Sequence, residues 1–378
     1  MFRRLFPVLF VAAVVLPAVP AAAAPPSCGD TIVADTTLTA NLLCLAGDGL
    51  TIGADGVELD LGGFAIIGSP AVLATGVQAT GVSDFVIRNG TVRGFDKAIV
   101  FDTATDGLLR DLQIKHNSGG VVLSNGSDRN RISRSRFVAN GDGSVSIVDS
   151  SKNRIVNSVF RATTNAVLFV SGSNNTVLGS SIRGSVFAGR GARNTTIRVN
   201  DIIGPGLPTG IDNWGAEATR IIRNRITRFE TGIHLYEDSH DARIRGNTIK
   251  RNVVGVRLSD DGFADILDGV VVLANNLSVN GATGLLMSPD SGDSSLGLRI
   301  LGNAASRNGA SPAGTTNDAA ETVDDGIHVY EAGTTVTIGG NRANRNSDYG
   351  IQAKGVTDGG GNTAAGNGDP GQCFGVIC

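Results

Sequence analysis

A repeat of about 22 residues constrains what this chain can fold into. A small residue followed by an apolar–x–apolar pattern recurs at spacings of 19 to 25 residues, with two longer gaps of 29 and 42. The repeats begin at Gly76, Ala98, Gly120, Ser144, Ala166, Ser185, Gly210, Gly232, Gly255, Gly284, Gly326 and Gly350. A period of this length without a 3.6-residue helical pattern predicts a solenoid, in which each repeat is one coil of short strands and turns.

A second motif lies midway in each repeat and places asparagine at a constant position. It reads IRGNTIKRN at 244–252 and IGGNRANRN at 338–346. Its first asparagine recurs as Asn200, Asn224, Asn247, Asn275, Asn303, Asn341 and Asn362. Stacked coils lie about 4.8 Å apart. Amides at that spacing can hydrogen-bond in a ladder and can also satisfy backbone groups of the turn.

With these repeats, the chain resembles the secreted right-handed parallel β-helix repeat proteins. The resemblance covers nearly the whole mature chain and implies an all-β, single-stranded right-handed parallel β-helix of about 12 coils. It implies an N-terminal cap and first coils at 24–68, coils at 69–367 and a C-terminal tail at 368–378. The fold alone does not select a function, because it includes pectate lyases, polygalacturonases, alginate epimerases, phage tailspikes and non-enzymatic surface proteins.

The first residues predict export. Residues 1–23 form a signal peptide with Arg3 and Arg4, an apolar stretch at 5–19 and a small-residue cleavage site. Prolines interrupt the apolar stretch, so we expect no membrane span and a secreted, periplasmic or extracellular protein. Removing residues 1–23 changes the net charge from −3 to −5, because two arginines and no acid are lost. That balance argues against a nucleic-acid partner.

The four cysteines fall in two local pairs at the ends of the chain. We predict disulfides Cys28–Cys44 and Cys373–Cys378, since disulfides persist in exported proteins. The alternative is four free, buried thiols. After the leader only Met287 remains, so a thioether copper site is not supported.

Strand alternation identifies candidate catalytic residues in the segment GIHLYE, 232–237. His234 and Tyr236 face outward, with Asp212 and Arg257 at the same position in the adjacent coils. A carboxylate raises the pKa of a neighbouring histidine and a cation lowers it. A tunable base with a carboxylate and a cation is the minimum set for proton chemistry on a sugar acid.

Further outward side chains are candidates for substrate binding. Aromatic rings offer flat apolar faces on which sugars stack, and a polymer lying along the helix could reach several coils. These candidates are Trp214, Glu237, His328, Tyr330 and Glu331. His328 belongs to GIHVYE, 326–331, three coils beyond His234 and roughly 14 Å away. The alternative is that this second copy is an echo of repeat duplication, and that these side chains are ordinary cross-strand ladders.

Charged segments predict a cation site and a basic column. Loops 259–268 and 309–325 are expected to border the outward face, and Asp260, Asp261 and Asp265 in the first could hold Ca²⁺. The alternative is a solvated loop, and no cofactor is required. Arg228, Arg251, Arg307 and Arg345 share one position of the asparagine-bearing half-turn. This column could hold an acidic polymer or lie in solvent with counterions.

Two functions follow. The first is binding of a polysaccharide or cell-surface glycan, with cleavage or epimerisation as a lyase, epimerase or glycoside hydrolase. The second is a non-catalytic surface or envelope solenoid. The GHG and RIK motifs of polygalacturonases and the DPHD motif of alginate epimerases do not occur, so none of those families' catalytic residues can be carried over.

Overall fold

The computed structural model describes residues 25–141, 143–259, 267–288, 297–317, 320–330 and 335–378. The signal peptide predicted at 1–23 lies outside these residues. So do four predicted site residues, namely Asp260, Asp261, Asp265 and Glu331, and one loop acid, Asp318.

The described residues form a right-handed parallel β-helix, as predicted. Short strands pair in parallel from coil to coil and build three faces, which we call A, B and C in chain order within a coil. No helix of the described residues is long and apolar enough to cross a membrane.

The strands are grouped here by the face to which they belong. Face C contains β1 (Thr31–Ile32), β4 (Leu50–Ile52), β7 (Thr75–Thr80), β9 (Lys97–Asp102), β11 (Gly119–Ser124), β14 (Val145–Ile147), β25 (Val254–Ser259), β27 (Thr283–Ser288), β29 (Ile327–Val329), β32 (Ile351–Ala353) and β35 (Cys373–Phe374). Face A contains β2 (Thr36–Thr37), β5 (Glu58–Asp60), β12 (Arg131–Ser133), β15 (Arg154–Val156), β17 (Thr176–Leu178), β19 (Thr196–Arg198), β21 (Arg220–Ile222), β23 (Arg243–Arg245), β26 (Val271–Leu273), β28 (Arg299–Leu301), β30 (Thr337–Gly339) and β33 (Thr357–Asp358).

Face B contains fewer separate strands, because several strands continue around a corner. Its own strands are β3 (Leu42–Cys44), β6 (Ala65–Gly68), β13 (Arg136–Val138), β24 (Thr248–Lys250), β31 (Arg342–Asn344) and β34 (Thr363–Ala365). Strands β8 (Val86–Arg93) and β10 (Leu108–Lys115) run from face A to face B. Strands β16 (Val159–Ser173), β18 (Ser181–Arg193), β20 (Asp201–Trp214) and β22 (Arg225–Tyr236) run from face B to face C.

The helix has about 14 coils, two more than the repeat pattern indicated. The additional coils come from residues 31–68, where Thr31 pairs with Thr51 and Thr51 with Gln78. This segment has the pairing of a coil without the repeated small–apolar–x–apolar pattern. The sequence motif therefore detects only the coils from Gly76 onward.

The twelve aligned repeats occupy consecutive coils in the predicted register. Ile233 and Leu235 point inward and are fully buried. The residue that opens each repeat is small for a steric reason. A Cβ on Gly232 would lie 2.6 Å from the carbonyl oxygen of Gly255 in the next coil, which is too close for any side chain.

Two asparagine ladders stabilise the corners of the helix, and the predicted ladder is confirmed. In it, the backbone N–H of Asn247 donates to Asn275 Oδ1 at 2.9 Å, and Asn247 Nδ2 donates to the same oxygen at 3.0 Å. The second asparagine of the motif builds another ladder of the same kind, at the corner between faces B and C. Its members are Asn252, Asn280, Asn308, Asn346 and Asn367.

The two predicted disulfides are present, one at each end of the helix. Cys28 is bonded to Cys44, and Cys373 to Cys378. The described residues contain no free cysteine, so the alternative of free thiols was wrong.

Candidate functional site

The predicted outward column on face C exists in direct register. Asp212 pairs with His234, His234 with Arg257 and, two coils further, Leu286 with His328. Asp212, His234 and Arg257 therefore occupy adjacent coils, as the repeat alignment predicted. Their proposed catalytic roles stay predictions.

His234 is a largely buried, neutral imidazole. Its Nε2 lies 2.7 Å from Ser259 Oγ, and its ring stacks on Tyr236 with centroids 4.3 Å apart. Burial, with a smaller contribution from the nearby Arg257 cation, lowers the pKa of His234 from its usual 6.5 to about 4. The pKa of His234 is therefore set by burial and by the cation, and not by the carboxylate that the sequence placed beside it. At neutral pH the ring can therefore accept or donate a hydrogen bond, but it is a weak base.

Arg257 carries an unsatisfied donor in this region. Its Nε is buried and makes no hydrogen bond to any described residue. A buried N–H without a partner costs about 1–3 kcal/mol. An acceptor oxygen supplied from outside the protein would remove that cost.

Trp214 lies beside a residue that the sequence pattern did not single out. The guanidinium of Arg190 is 5.4 Å from the centroid of the Trp214 ring, and it forms an ion pair with Glu237. Phe187 contacts the indole with centroids 6.1 Å apart, which leaves Trp214 38% exposed. Glu237, a predicted ligand contact, is thus engaged within the protein. Arg190 lies at an irregularity of the strand pairing, where Phe169 pairs with Ala188 but Ser171 with Gly191, so a repeat alignment gives it no equivalent position.

His328 is in the predicted column but is only 1% exposed, because the 309–325 loop covers it. His328 Nδ1 is 2.6 Å from Asp325 Oδ2, and Nε2 is 3.2 Å from Asn317 Nδ2. The Oδ1 of Asn317 accepts the backbone N–H of Glu321, so its Nδ2 is the group that donates to His328. We infer that His328 Nδ1–H donates to Asp325 and that Nε2 accepts from Asn317.

The same loop lies on face C instead of only bordering it. Val323 packs on Leu286 in a small apolar cluster with Val254 and Ala282, and Leu286 is fully buried. The sequence predicted a wall beside an open face. The structure instead separates the His234 region, defined by Asp212, Trp214, His234, Tyr236 and Arg257, from a second region further along face C.

The second region is a pocket over the last coils, which we call the Tyr330 pocket. Its lining comprises His328 and Tyr330, Glu321 of the 309–325 loop, Gln352 and Lys354 of the last aligned repeat, and two residues that the repeat pattern missed, Tyr349 and Phe374. The rings of Tyr349 and Phe374 are 6.3 Å apart. They were missed because they lie outside the small–apolar–x–apolar segments. The pocket combines three aromatic rings with acid, amide and amine groups.

An acidic cluster borders this pocket. Ligand oxygens of Asp324, Asp325 and Asp348 all lie within 4.8 Å of one another. Burial, together with repulsion from Asp325 and Asp324, raises the pKa of Asp348 to about 6. Burial is also the main cause that raises the pKa values of Asp324 and Asp325. Asp324 and Asp325 belong to the 309–325 loop. Ca²⁺ prefers oxygen donors of this kind.

These features define a parallel β-helix protein with an aromatic and polar outward face. A family model described as "Periplasmic copper-binding protein (NosD)" matches residues 62–265, more than half of the chain. The chain therefore belongs to the NosD family. A search of curated proteins finds no match.

Solved structures similar to this chain share its fold. The mannuronan C-5 epimerase AlgE6 A-module of Azotobacter vinelandii is 14% identical, over 87% of this chain and 80% of that one, with a TM-score of 0.50. PfbA, a surface adhesin of Streptococcus pneumoniae, is 14% identical over 75% and 81%, with a TM-score of 0.53. A tailspike protein mutant of E. coli bacteriophage HK620, in complex with a pentasaccharide, is 11% identical over 92% and 73%, with a TM-score of 0.54. Identities this low show the fold alone.

The described residues do not bring together, in one cluster, the donors that copper prefers. Copper binds thiolate, thioether and imidazole ligands. The four cysteines are in disulfides and Met287 is buried in the core. The one cluster of three or more potential metal ligands in the described part of the chain is the oxygen-only group at Asp325. We therefore derive no function through copper.

Proposed function

We propose that this protein is exported and binds a polysaccharide along face C. The two disulfides, the predicted signal peptide and the word "periplasmic" in the family description support export. Among the structures of the same fold, one tailspike holds a pentasaccharide and one epimerase is named for mannuronan, which supports a glycan as the ligand class.

The Tyr330 pocket is the observation that carries the proposal. Ligand sites are concave, lined by aromatic side chains and supplied with a few polar groups. Tyr330, Tyr349 and Phe374 provide the flat faces, while Gln352 and Lys354 provide hydrogen-bonding groups. A sugar ring presents one apolar face and a rim of hydroxyls, which matches this combination.

The His234 region offers a second contact area for the same chain of sugars. Trp214 and Tyr236 lie in adjacent coils, and the buried Arg257 Nε lacks an acceptor among the described residues. His234 and His328 are three coils apart, or about 14 Å along the helix. An extended glycan lying along the helix axis can therefore reach both regions.

We propose that the protein binds the glycan without cleaving or epimerising it. A general base works best when its pKa lies near the working pH. The pKa of His234, about 4, is far below neutrality, which makes it a poor base at pH 7. The acids beside the Tyr330 pocket, Glu321 and Asp348, also disfavour a polyanion there. We therefore expect an uncharged glycan on face C.

Binding of uncharged polysaccharides to the mature chain tests the proposal. Oligosaccharides from a panel of neutral glucans, mannans and galactans are titrated calorimetrically against wild type, Tyr330→Ala and Trp214→Ala. Loss of a stacking ring should weaken binding about 3- to 10-fold. Leu73→Ala, which removes a side chain that is 91% exposed outside face C, is the control and should bind as wild type.

Two outcomes would overturn the proposal. Folded wild-type protein that binds no member of the panel supports the alternative of a non-catalytic structural solenoid. Unchanged affinity in both aromatic variants would show that the glycan does not bind to face C.

A further inference from the structure

We propose that face B carries a second, separate binding site, a basic groove for a linear anionic polysaccharide. Lys250, Arg307, Arg342 and Arg345 supply its positive charge, and Ser278 and Ser306 lie between them. The groove spans the last coils of face B. The sequence pointed to the column that contains Arg307 and Arg345, with Lys250 nearby, and the fold adds Arg342.

The charges follow the axis of the helix at the spacing of its coils. Arg342 pairs with Ala304 of the preceding coil, and the backbone N–H of Arg307 donates to Asn344 O at 3.0 Å. Arg307 and Arg345 therefore stand on neighbouring coils, about 4.8 Å apart along the axis. A ligand with regularly repeated negative charges fits such a row better than a compact anion does.

Among the described residues, the three arginines of the groove lack the carboxylate partners that arginines of earlier coils have. In earlier coils, Arg129 pairs with Asp106 at 2.6 Å and Arg134 with Asp111 at 2.8 Å, each acid lying one coil below. Arg307, Arg342 and Arg345 make no ion pair with any described carboxylate. Unpaired like charges in one groove repel each other, and a bound polyanion would relieve that repulsion.

The lining favours a polysaccharide over a nucleic acid. Single-stranded nucleic acids are held by aromatic rings on which the bases stack. The described lining contains no aromatic side chain and consists of basic, Ser, Asn, Ala, and Val residues. Hydroxyl and amide groups such as Ser278, Ser306 and Asn344 suit sugar hydroxyls. Carboxylate and sulfate groups could each supply the negative charge.

The basic groove is independent of the site proposed on face C. It lies on a different face, its ligand is anionic where that of face C is uncharged, and its affinity depends on salt. Exposed charges are screened within about 10 Å at 0.1 M ionic strength. Stacking on Tyr330 carries no such dependence, so the two sites can be told apart in one protein.

The test is calorimetric titration of the mature chain with polygalacturonate oligomers at 50 and 500 mM NaCl. Wild type should bind at low salt and lose most of its affinity at high salt. The double variant Arg307→Gln/Arg345→Gln should bind about tenfold more weakly or worse, since hydrogen bonds to charged groups are lost. Arg307→Lys/Arg345→Lys should retain most of the affinity.

The matched control is Arg129→Gln/Arg134→Gln. Its two arginines are also exposed and also adopt positive φ, at 58° and 48°, so the change in net charge and backbone context is the same. It should bind polygalacturonate as wild type. Equal weakening in the two glutamine variants would overturn the proposal, because net charge alone would then explain binding.

Further ligands define the chemistry of the groove. Dextran sulfate tests whether sulfate can replace carboxylate, and binding of either polymer that depends on Arg307 and Arg345 supports the proposal. Oligo-dT that binds as tightly as the polysaccharides would overturn it in favour of a general polyanion surface. Binding of uncharged glycans should be unchanged in the groove variants, which separates a failure here from a failure on face C.

Discussion

His234 lies between Asp212 and Arg257 on adjacent coils, and its ring packs against Tyr236. The repeat alignment predicted these neighbours and the outward direction of the side chain. It could not predict the state of the ring, because burial depends on how later segments cover the face. Burial and the nearby cation keep His234 neutral.

The protonation of His234 makes a testable prediction about pH. Its folded-state pKa of about 4 lies below the usual 6.5, so the unfolded chain takes up this proton first as the pH falls. The stability contributed by neutral His234 is therefore present above pH 6.5 and is lost as the pH falls toward 4. That contribution is on the order of 3 kcal/mol. His234→Gln should flatten the dependence of stability on pH between 6.5 and 4.

Two measurements check this prediction. In an NMR titration, the resonance that is absent from His234→Gln should belong to a ring that is half protonated only near pH 4. His116→Asn, a change at an exposed turn, should keep the wild-type dependence of stability on pH. A His234 ring that titrates near 6.5 would contradict the burial seen here.

Several site residues could not have been found from the repeat pattern. Asp325 is hydrogen-bonded to His328 and belongs to the 309–325 loop, which has no counterpart in the other aligned repeats. Arg190 lies at an irregularity of the strand pairing, Tyr349 directly precedes the last aligned repeat, and Phe374 follows that repeat. The pattern therefore predicts positions inside the coil, while contacts made by insertions and irregular segments require the tertiary structure.

Among the structural elements, the asparagine ladder was predictable in full, because each member repeats at one position of the motif. Asn275 shows what a single member does. It accepts hydrogen bonds from the backbone and side chain of Asn247, and its Nδ2 donates to Ile244 O and to Asn303 Oδ1. All of these groups are shielded from water.

Asn275→Ala should lower the free energy of unfolding by about 2 kcal/mol or more, because buried donors and acceptors lose their partners. The adjacent Asn276 is the control, since it lies outside the ladder and its Oδ1 makes no hydrogen bond to the described residues. Asn276→Ala should leave stability nearly unchanged. Thermal unfolding followed by circular dichroism compares the two, and equal melting temperatures would show that the ladder does not stabilise the helix.

The whole molecule is a stack in which each coil contacts mainly its neighbours. Stability in such arrays is close to a sum of coil and interface contributions, so the ends open first. Cys28–Cys44 closes a loop of 16 residues at the first coil, while Cys373–Cys378 spans only 5 at the last. Loop-closure entropy assigns about 3 kcal/mol to a loop of the first size and less to the shorter one.

Cys28→Ser/Cys44→Ser should therefore speed amide exchange in residues 31–68 and leave the central coils unchanged. Hydrogen–deuterium exchange with mass spectrometry measures this by segment. Cys373→Ser/Cys378→Ser should change exchange only near the last coil, and by less. Uniformly faster exchange along the chain in either variant would instead indicate a single cooperative unit.

The 309–325 loop has a consequence for how such a molecule can vary. This loop lengthens the coil between Gly284 and Gly326, yet Leu285 still pairs with Ile327 and Ile327 with Ile351. The coil can thus take in a new segment without disturbing the strands above and below it. A related protein could therefore acquire a different ligand by exchanging this one segment while its β-helix stays the same.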